Sequence, residues 1–575
     1  MNYLGVFHSN YPRSTAGICD SPCIAKGRMM LCAPEMASEA QQLAMYFGRI
    51  RNRRVLTEQL NCPRNTASAY LVLLAYRKWG VEYPKHIEGP VMTCVMDVAD
   101  DVMVLSRDRM GEQPVFYSLG PEGRAVFSDH PDSLLKTASA DPVVDAEGLC
   151  ELFGLGPART PGKTPLRDVR MLEPGCMLVG RGNRIAVQEY FRLQITRHLE
   201  DEVETIAHVR KLLEDAVDCV APLHPGAMLS GGLDSTSLTA MLCERMRNVQ
   251  TFSVDYADNA RDFRSNDFRP EMDAPYIDLA VKHFGTHHHW VVLEQAALAD
   301  ALEGAVSARG FPGMADIDSS LLLFAEKIAP NVPAVVSGEC GDEVFGGYPW
   351  FRKPFDITCG AFPWSGSIDL RESILRPDVR ETLNLREYVR RTFCTAVEQT
   401  GIEATADDRE TGLQQMQLLC FRFFMSNLQE RAVRMCGHYN LAVLTPLCDD
   451  RLVEYVFNVP WSMKFLGGQE KGLFRAAVRD LLPPVLNQRK KSPYPKTCSP
   501  IYTEIIRGLT MALLADREAP ILEWIDAERV RAIAESKLDP ADTPWFGQLM
   551  AGPQMLAYIW QVNTWMRERN ITVSL

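Results

Sequence analysis

The chain has 575 residues, a formal net charge of -12, and 46% hydrophobic against 23% charged residues. This is the composition of an ordinary soluble globular protein with two to four domains' worth of core. The acidic balance excludes a general nucleic-acid binder, and no window supplies the roughly 18 uncharged apolar residues of a membrane-spanning helix.

The opening residues Met1-Asn2-Tyr3-Leu4-Gly5 carry neither a basic nor a long apolar segment, so no signal peptide is read and a cytoplasmic location is expected. Sixteen cysteines are scattered along the chain. Cys19, Cys23 and Cys32 come nearest to a cluster but lack zinc spacing, and reduced thiols are expected throughout. A helix is expected over Thr66–Trp79, stopped by Gly80. Val91–Asp97 and Val102–Ser106 read as a hairpin turning at Ala99-Asp100-Asp101, with another short strand over Pro114–Ser118. Pro174–Glu189 reads as a second hairpin, turning at Arg181-Gly182-Asn183. From about Asp201 the texture changes to long helices and short apolar runs. Residues 1–195 are therefore assigned to one domain and 202–575 to another, with the boundary in Phe191–Glu202.

The second region alternates strand and helix. Strands are expected at Ala227–Leu229, Thr251–Tyr256, His289–Leu293 and Val332–Val336. Helices are expected after Gly232, reaching Met246, and around Pro275–Phe284. That rhythm predicts a parallel sheet covered on both faces, an α/β fold behind an N-terminal region of mixed α+β character. After about Asp369 the chain reads as almost wholly helical, ending in an amphipathic stretch near Pro553–Glu568.

Leu229-Ser230-Gly231-Gly232-Leu233-Asp234-Ser235-Thr236 carries the sharpest signal. An apolar strand runs into two glycines and a helix start rich in hydroxyls, which suits close approach of backbone N–H groups to phosphate. Asp234 would repel phosphate unless a Mg2+ ion bridges the two. No Gly-Lys-Ser/Thr follows, so this is not the Walker pattern.

The string closely resembles the pyrophosphate loop of the asparagine synthetase family within the ATP-pyrophosphatases. Val336-Ser337-Gly338-Glu339-Cys340-Gly341-Asp342-Glu343-Val344-Phe345-Gly346-Gly347-Tyr348 is similar to that family's second signature. Thr251–Asp255, Gly285–His288, Gln469–Arg475 and Arg489–Pro493 match it as well, so the resemblance runs from about Val209 to Trp565. It implies ATP and Mg2+ as cofactors and an N-terminal, Ntn-type glutaminase-like β-sandwich. Ser230, Gly231, Gly232, Ser235 and Thr236 would then hold the phosphates, and Asp234 with Asp342 the Mg2+. Leu229, Ser253, Val254, Ser337 and Gly338 would frame the nucleoside. The resemblance makes Lys471 the cation at the α-phosphate. Lys471 and Arg475 stand four apart on one face of an expected helix, and Arg475 joins the nucleotide site. Glu339 would bind or deprotonate the incoming amine. Asp273 is either part of this site or a helix-capping acid, and Arg489, Lys490 and Lys491 are either a pyrophosphate clamp or an exposed basic loop. His287 to His289 alternate faces on a strand and cannot all meet one ion.

Departures from the family bear on the reaction. Glutamine-using relatives place a catalytic cysteine directly after the initiator methionine, where this chain has Asn2, and a carboxamide supplies no thiolate. The family's His-Arg-Gly-Pro-Asp stretch is not recognisable in the first 50 residues. Its Asn-Gly-Glu turn stands as Phe47-Gly48-Arg49, and the acid that would hold the glutamine amine as Ser68. Near the acceptor site, Val433-Arg434-Met435 and Ala442-Val443-Leu444-Thr445-Pro446-Leu447 lack three charges usual in asparagine-making relatives. Either a structural ion network is compensated or the pocket is re-formed.

The expectation is an ATP-dependent amide-forming ligase that joins a small-molecule or peptide carboxylate to an amine or ammonia, without glutamine hydrolysis, in specialised metabolism. The β-lactam synthetases and lasso-peptide cyclases of the family lack the cysteine too, although the former carry Tyr where Glu339 stands. An ammonia-dependent asparagine synthetase and a catalytically silent nucleotide-binding subunit are the alternatives. No nucleic-acid or membrane partner is expected, and a homodimer is left open.

Overall fold

The structure is a computed structural model that describes residues 3–7, 21–26, 28–263, 265, 271–352, 360–403, 409–538 and 544–575. Two units are defined by their internal contacts: Met1–Gly148, Thr160–Gln194 and Thr572–Leu575 form the first, Leu149–Arg159 and Ile195–Ile571 the second. By contacts, 149–159 group with the second unit and 572–575 with the first, each on the other side of the boundary that the sequence suggests.

The first unit holds β1 (Leu4–Phe7), β2 (Cys23–Lys26), β3 (Met29–Cys32), β4 (Met36–Glu39), β5 (Gln42–Gly48), β6 (Val91–Asp97), β7 (Val102–Ser106), β8 (Phe116–Leu119), β9 (Ala125–Ser128), β10 (Val143–Asp145), β11 (Arg170–Met171), β12 (Cys176–Arg181) and β13 (Arg184–Glu189). Two six-stranded antiparallel sheets result, ordered β11-β8-β9-β1-β3-β2 and β13-β12-β7-β6-β5-β4. Both expected hairpins form, at Val91–Ser106 and Cys176–Glu189.

Alternation along β6 explains the layering. Met92, Cys94 and Met96 face Tyr3, Phe7, Leu31 and Phe127 of the other sheet, while Val91 and Val95 face Leu71 and Ala75 of the helix Ser68–Trp79. The second sheet is thus buried on both sides, which is why β6 reads as a continuous apolar run. One cysteine expectation is corrected: Cys23 and Cys32 face each other across the β2–β3 pair and form a disulfide, the antiparallel register bringing their sulfurs together. Cys19 lies outside the described residues.

The second unit is built on β14 (Gly226–Met228), β15 (Gln250–Tyr256), β16 (His287–Leu293), β17 (Ala334–Val336) and β18 (Ala442–Leu444), all parallel and ordered β16-β15-β14-β17-β18. From β14 the chain builds outward through β15 and β16, then returns to the other side for β17 and β18. The order therefore reverses between β14 and β17, and a ligand belongs beyond their carboxyl ends. After Asp369 the described chain is almost wholly helical, as expected; β18 is a short exception, whose three residues are too few to show a period of two. The helices Asp316–Ile328 and Ser426–Gly437 cover one face, with Phe252, Leu321, Phe324, Val335, Met435 and Cys436 in a common core.

Candidate active site

Both glycine-rich signatures leave the sheet at the reversal point. Leu229 N–H donates to Phe252 O at 2.8 Å, extending the ladder by one residue before the chain breaks away. Ser230 N–H then donates to Ser235 Oγ at 3.2 Å, and the two hydroxyl oxygens lie 2.9 Å apart. Gly232 N–H donates to Ser230 Oγ at 3.3 Å, and Ser253 Oγ donates to Leu229 O. Gly231 has a φ of 68°, in the left-handed region that favours glycine. These bonds shape a tight turn into the helix Leu233–Arg245, whose first N–H groups open toward the cleft.

The second loop closes on the first. Ser337 N–H donates to Leu444 O at 2.9 Å, and Glu339 N–H to Ser337 Oγ at 3.3 Å. Cys340 then adopts a φ of 75°, a left-handed conformation uncommon for a side-chain-bearing residue, before the short helix Gly341–Phe345. Gly338 and Gly341 permit the contact: a Cβ on Gly338 would stand 3.0 Å from Ser235 N, and one on Gly341 would stand 2.7 Å from Asp234 Oδ1.

Asp234 and Asp342 meet across this junction with Lys471 between them. Lys471 Nζ lies 2.5 Å from Asp234 Oδ2 and 2.5 Å from Asp342 Oδ1, and Lys491 Nζ pairs with Asp342 Oδ2. Burial alone would raise the Asp342 carboxyl, but Lys471 and Lys491 outweigh it and hold it at about 2. Asp234 is raised by burial, which Lys471 opposes and the charge on Asp342 reinforces. Glu339 is also raised by burial, opposed by Arg431 and Lys491.

The expected helix placement of Lys471 is corrected. It precedes the helix Gly472–Ala477 with a φ of 56°, because Gly472 is pressed against the Leu466 backbone and the chain must turn there. Arg475 lines the cleft, but its guanidinium donates to backbone: Nε to Glu470 O at 2.8 Å, Nη2 to Arg489 O at 3.0 Å, and Nη1 to Asn487 O. It braces the segment 487–489.

One cleft of about 1520 Å³, its mouth included, gathers most of the expected residues: Leu229, Ser230, Gly232, Asp234, Ser235, Ser253, Val254, Ser337, Gly338, Glu339, Asp342, Lys471 and Arg475. Gly231 and Thr236 do not line it. Val443 does, whereas Val433 and Met435 do not. His288 Nδ1 is 2.9 Å from Thr251 Oγ1 and His289 Nε2 is 3.1 Å from Gln250 Oε1, both away from the cleft. Asn2 lies outside the described residues.

The alternatives left open for the basic run divide by residue. Arg489 is buried and engaged with Asp273 and Ser230 O, Lys490 is exposed, and Lys491 enters the site. Lys491 is 18% exposed against 3% for Lys471 and touches one carboxylate rather than two, which leaves it the freer of the two cations. Arg431 was missed altogether. Its Nη1 is 3.6 Å from Glu339 Oε1, its Nε 3.2 Å from Asp318 Oδ1, and its guanidinium lies over the Tyr494 ring at 4.7 Å. No motif marks it, and only the helical face it shares with Leu428 and Ala432 could have pointed inward.

The donor set suits a nucleotide with a hard cation. Asp234 Oδ1 is buried without a hydrogen-bond donor, beside a second carboxylate. Among the described residues no three His, Cys, Asp or Glu side chains form a metal cage. Two carboxylates completed by phosphate oxygens are the usual arrangement for Mg2+.

An asparagine synthase family model matches residues 208–567, and a glutamine amidotransferase domain model matches 32–191. Asparagine synthetase [glutamine-hydrolyzing] 3 of Bacillus subtilis is 35% identical over 92% of this chain and 88% of its own. Asparagine synthetase [glutamine-hydrolyzing] 1 of the same organism is 24% identical over 78% and 75%. Among solved structures, a glutamine PRPP amidotransferase from B. subtilis covers 55% of this chain and 68% of its own at 11% identity, with a TM-score of 0.21, too low to bear on the fold. With a family model across most of its length and a relative 35% identical over 92% of it, the chain belongs to the asparagine synthetase family, ATP-dependent carbon–nitrogen ligases that release AMP and pyrophosphate.

Proposed function

We propose that this ligase adenylates a carboxylate and passes it to an amine or ammonia without hydrolysing glutamine, in specialised metabolism. The observation that carries the glutamine-independent reading is Asn2, at the sequence position where glutamine-using relatives have their cysteine. Two contacts in the same unit support it. The Tyr3 ring lies 5.6 Å from the Phe47 ring, so the turn that carries an Asn-Gly-Glu sequence in the family carries an aromatic contact. Ser68, in place of an acid, accepts from Arg53 Nη1 at 2.8 Å. The two B. subtilis relatives are glutamine-hydrolysing by name, and the departures at Asn2, Phe47 and Ser68 support a different reading for this chain.

In the synthetase unit, Asp234 and Asp342 would hold Mg2+, which when bound neutralises phosphate charge and orients the reacting oxygens. The helix start after Gly232 and the Ser230 and Ser235 hydroxyls would cradle the phosphates. Leu229, Ser253, Val254, Ser337 and Gly338 would frame the nucleoside. Lys471, fixed by two carboxylates, sets their geometry, and Lys491 offers a more accessible charge to the leaving oxygens. Glu339 takes a proton from the attacking nitrogen, its carboxylate kept ionisable by Arg431.

A second reading, an ammonia-dependent asparagine synthetase, is favoured by the 35% identity to an asparagine synthetase. ATP–pyrophosphate exchange over a set of carboxylates, run beside a glutamate-release assay, separates the two. Exchange with aspartate supports the second reading. Release of glutamate from glutamine by the purified chain overturns the first.

A further inference from the structure

Arg489 belongs to a basic run that invites assignment as a phosphate ligand, and it lines the cleft, yet its guanidinium is engaged with protein groups there. Nη1 donates to Ser230 O at 3.0 Å, Nη2 pairs with Asp273 Oδ1, and the guanidinium lies over the Tyr276 ring at 4.2 Å. The side chain is 3% exposed. Gly231 sits against the same cluster: a Cβ there would stand 2.9 Å from Arg489 Nη1, 2.9 Å from Tyr276 Cβ and 3.0 Å from Ile277 N. Asp273 immediately precedes the helix Ala274–Phe284 and accepts the Tyr276 and Ile277 N–H groups at its backbone oxygen, each at 3.1 Å. Arg489 therefore ties the glycine turn of the phosphate loop to the start of a neighbouring helix.

The segment that delivers it is itself fixed from behind. Arg475 Nη2 donates to Arg489 O at 3.0 Å, and Lys491 N–H donates to Glu470 Oε1 at 3.2 Å. Residues two apart on irregular but anchored chain reach into the structure while Lys490 between them is exposed.

We propose that Arg489 and Asp273 form a clamp that positions the Ser230–Gly231 turn for the triphosphate, Arg489 acting through the loop rather than touching phosphate. The proposal rests on the reading that this loop binds the ATP phosphates. Its physical basis is that each partner of a buried ion pair depends on the other. A free phosphate ligand would gain reach on losing Asp273, whereas a clamp would lose its anchor. Removing the carboxylate therefore gives opposite signs under the two roles.

Isothermal titration of the full chain with ATP and with adenosine tests this, using Asp273→Asn, Arg489→Met, their double variant and Arg489→Lys. Expected is a loss of ATP affinity of roughly tenfold in each single variant, the scale of one charge-assisted bond. Adenosine affinity should stay within about twofold of wild type, with the double variant no worse than either single. Arg489→Lys should recover part of the loss. Unchanged or tighter ATP binding by Asp273→Asn overturns the clamp, as do additive losses or an equal loss for adenosine. Failure of wild type itself to bind ATP would instead overturn the reading of the loop.

Discussion

Nη1 of Arg431 stands 3.6 Å from Oε1 of Glu339, and the pair ends a buried run of alternating charge. Arg431 Nε lies 3.2 Å from Asp318 Oδ1, whose other oxygen accepts from Arg309 Nη1 at 2.9 Å. Asp318 also accepts the Met314 N–H at 3.0 Å. None of these side chains except Glu339 is more than 2% exposed.

Arg431→Met should therefore destabilise the fold by about 3–5 kcal/mol, because Asp318 keeps a charge with one cation fewer. Urea unfolding measures this. Arg431 also opposes the burial that raises the Glu339 carboxyl. Its loss should move the acidic limb of the amide-forming rate to higher pH, since a base with a raised pKa is ionised later. Arg431→Lys should restore part of both effects.

Glu343 gives a stability dependence of the opposite sense from an ordinary salt-bridged acid. Burial pushes its carboxyl up to about 8, with Asp342 and Glu339 adding, while the Tyr348 hydroxyl donates to it at 2.8 Å. The folded chain keeps a proton there that the unfolded chain gives up near its ordinary value of 4.5. This contribution to stability is therefore complete below the unfolded value and falls as pH rises toward about 8. At neutral pH the cost is roughly 3 kcal/mol, at about 1.4 kcal/mol per pH unit. Glu343→Gln should unfold at higher urea than wild type at pH 7, and the difference should vanish by pH 4.

Gly347→Ala should disable the site without a polar change. A Cβ there falls on Asp342 Oδ1 and on the Lys471 stem, both held by ion pairs. The carboxylate must shift, and ATP affinity should drop by at least about tenfold, a loss of roughly 1.4 kcal/mol. Calorimetric titration checks it, with thermal unfolding as the control for a global effect.

Cys23 and Cys32 should be silent toward a thiol reagent until reduced. Unfolded protein titrated before and after reductant should gain two reactive thiols, both mapped to these positions by peptide mass.

Legibility in the sequence followed the length and periodicity of each element. The hairpins at Val91–Ser106 and Cys176–Glu189 and the helix Pro553–Glu568 carry their own turn or period, and each forms where expected. The strand Ala442–Leu444 carries neither, and its partner β17 lies more than a hundred residues earlier. In the site, Asp234 and Asp342 stood out because glycines surround them. The residues after Lys471 predict a helix that includes it, but the close approach of Gly472 to Leu466 is a tertiary fact that spacing cannot hold. Arg431 lay hidden because an inward arginine on a helix looks the same in sequence as an outward one.

The pairing of β10 with the strand Thr572–Ser574 has a consequence for synthesis. Val143 to Asp145 leave the ribosome hundreds of residues before Thr572 to Ser574, so this parallel pair cannot form until those later residues have emerged. Until then β10 offers unpaired backbone in a unit whose two large sheets already have their strands. Closing so long a loop costs only slowly growing entropy but delays the contact. The nascent chain thus passes through a period in which this unit is built but unfinished, and the emergence of Thr572 to Ser574 sets when that period ends.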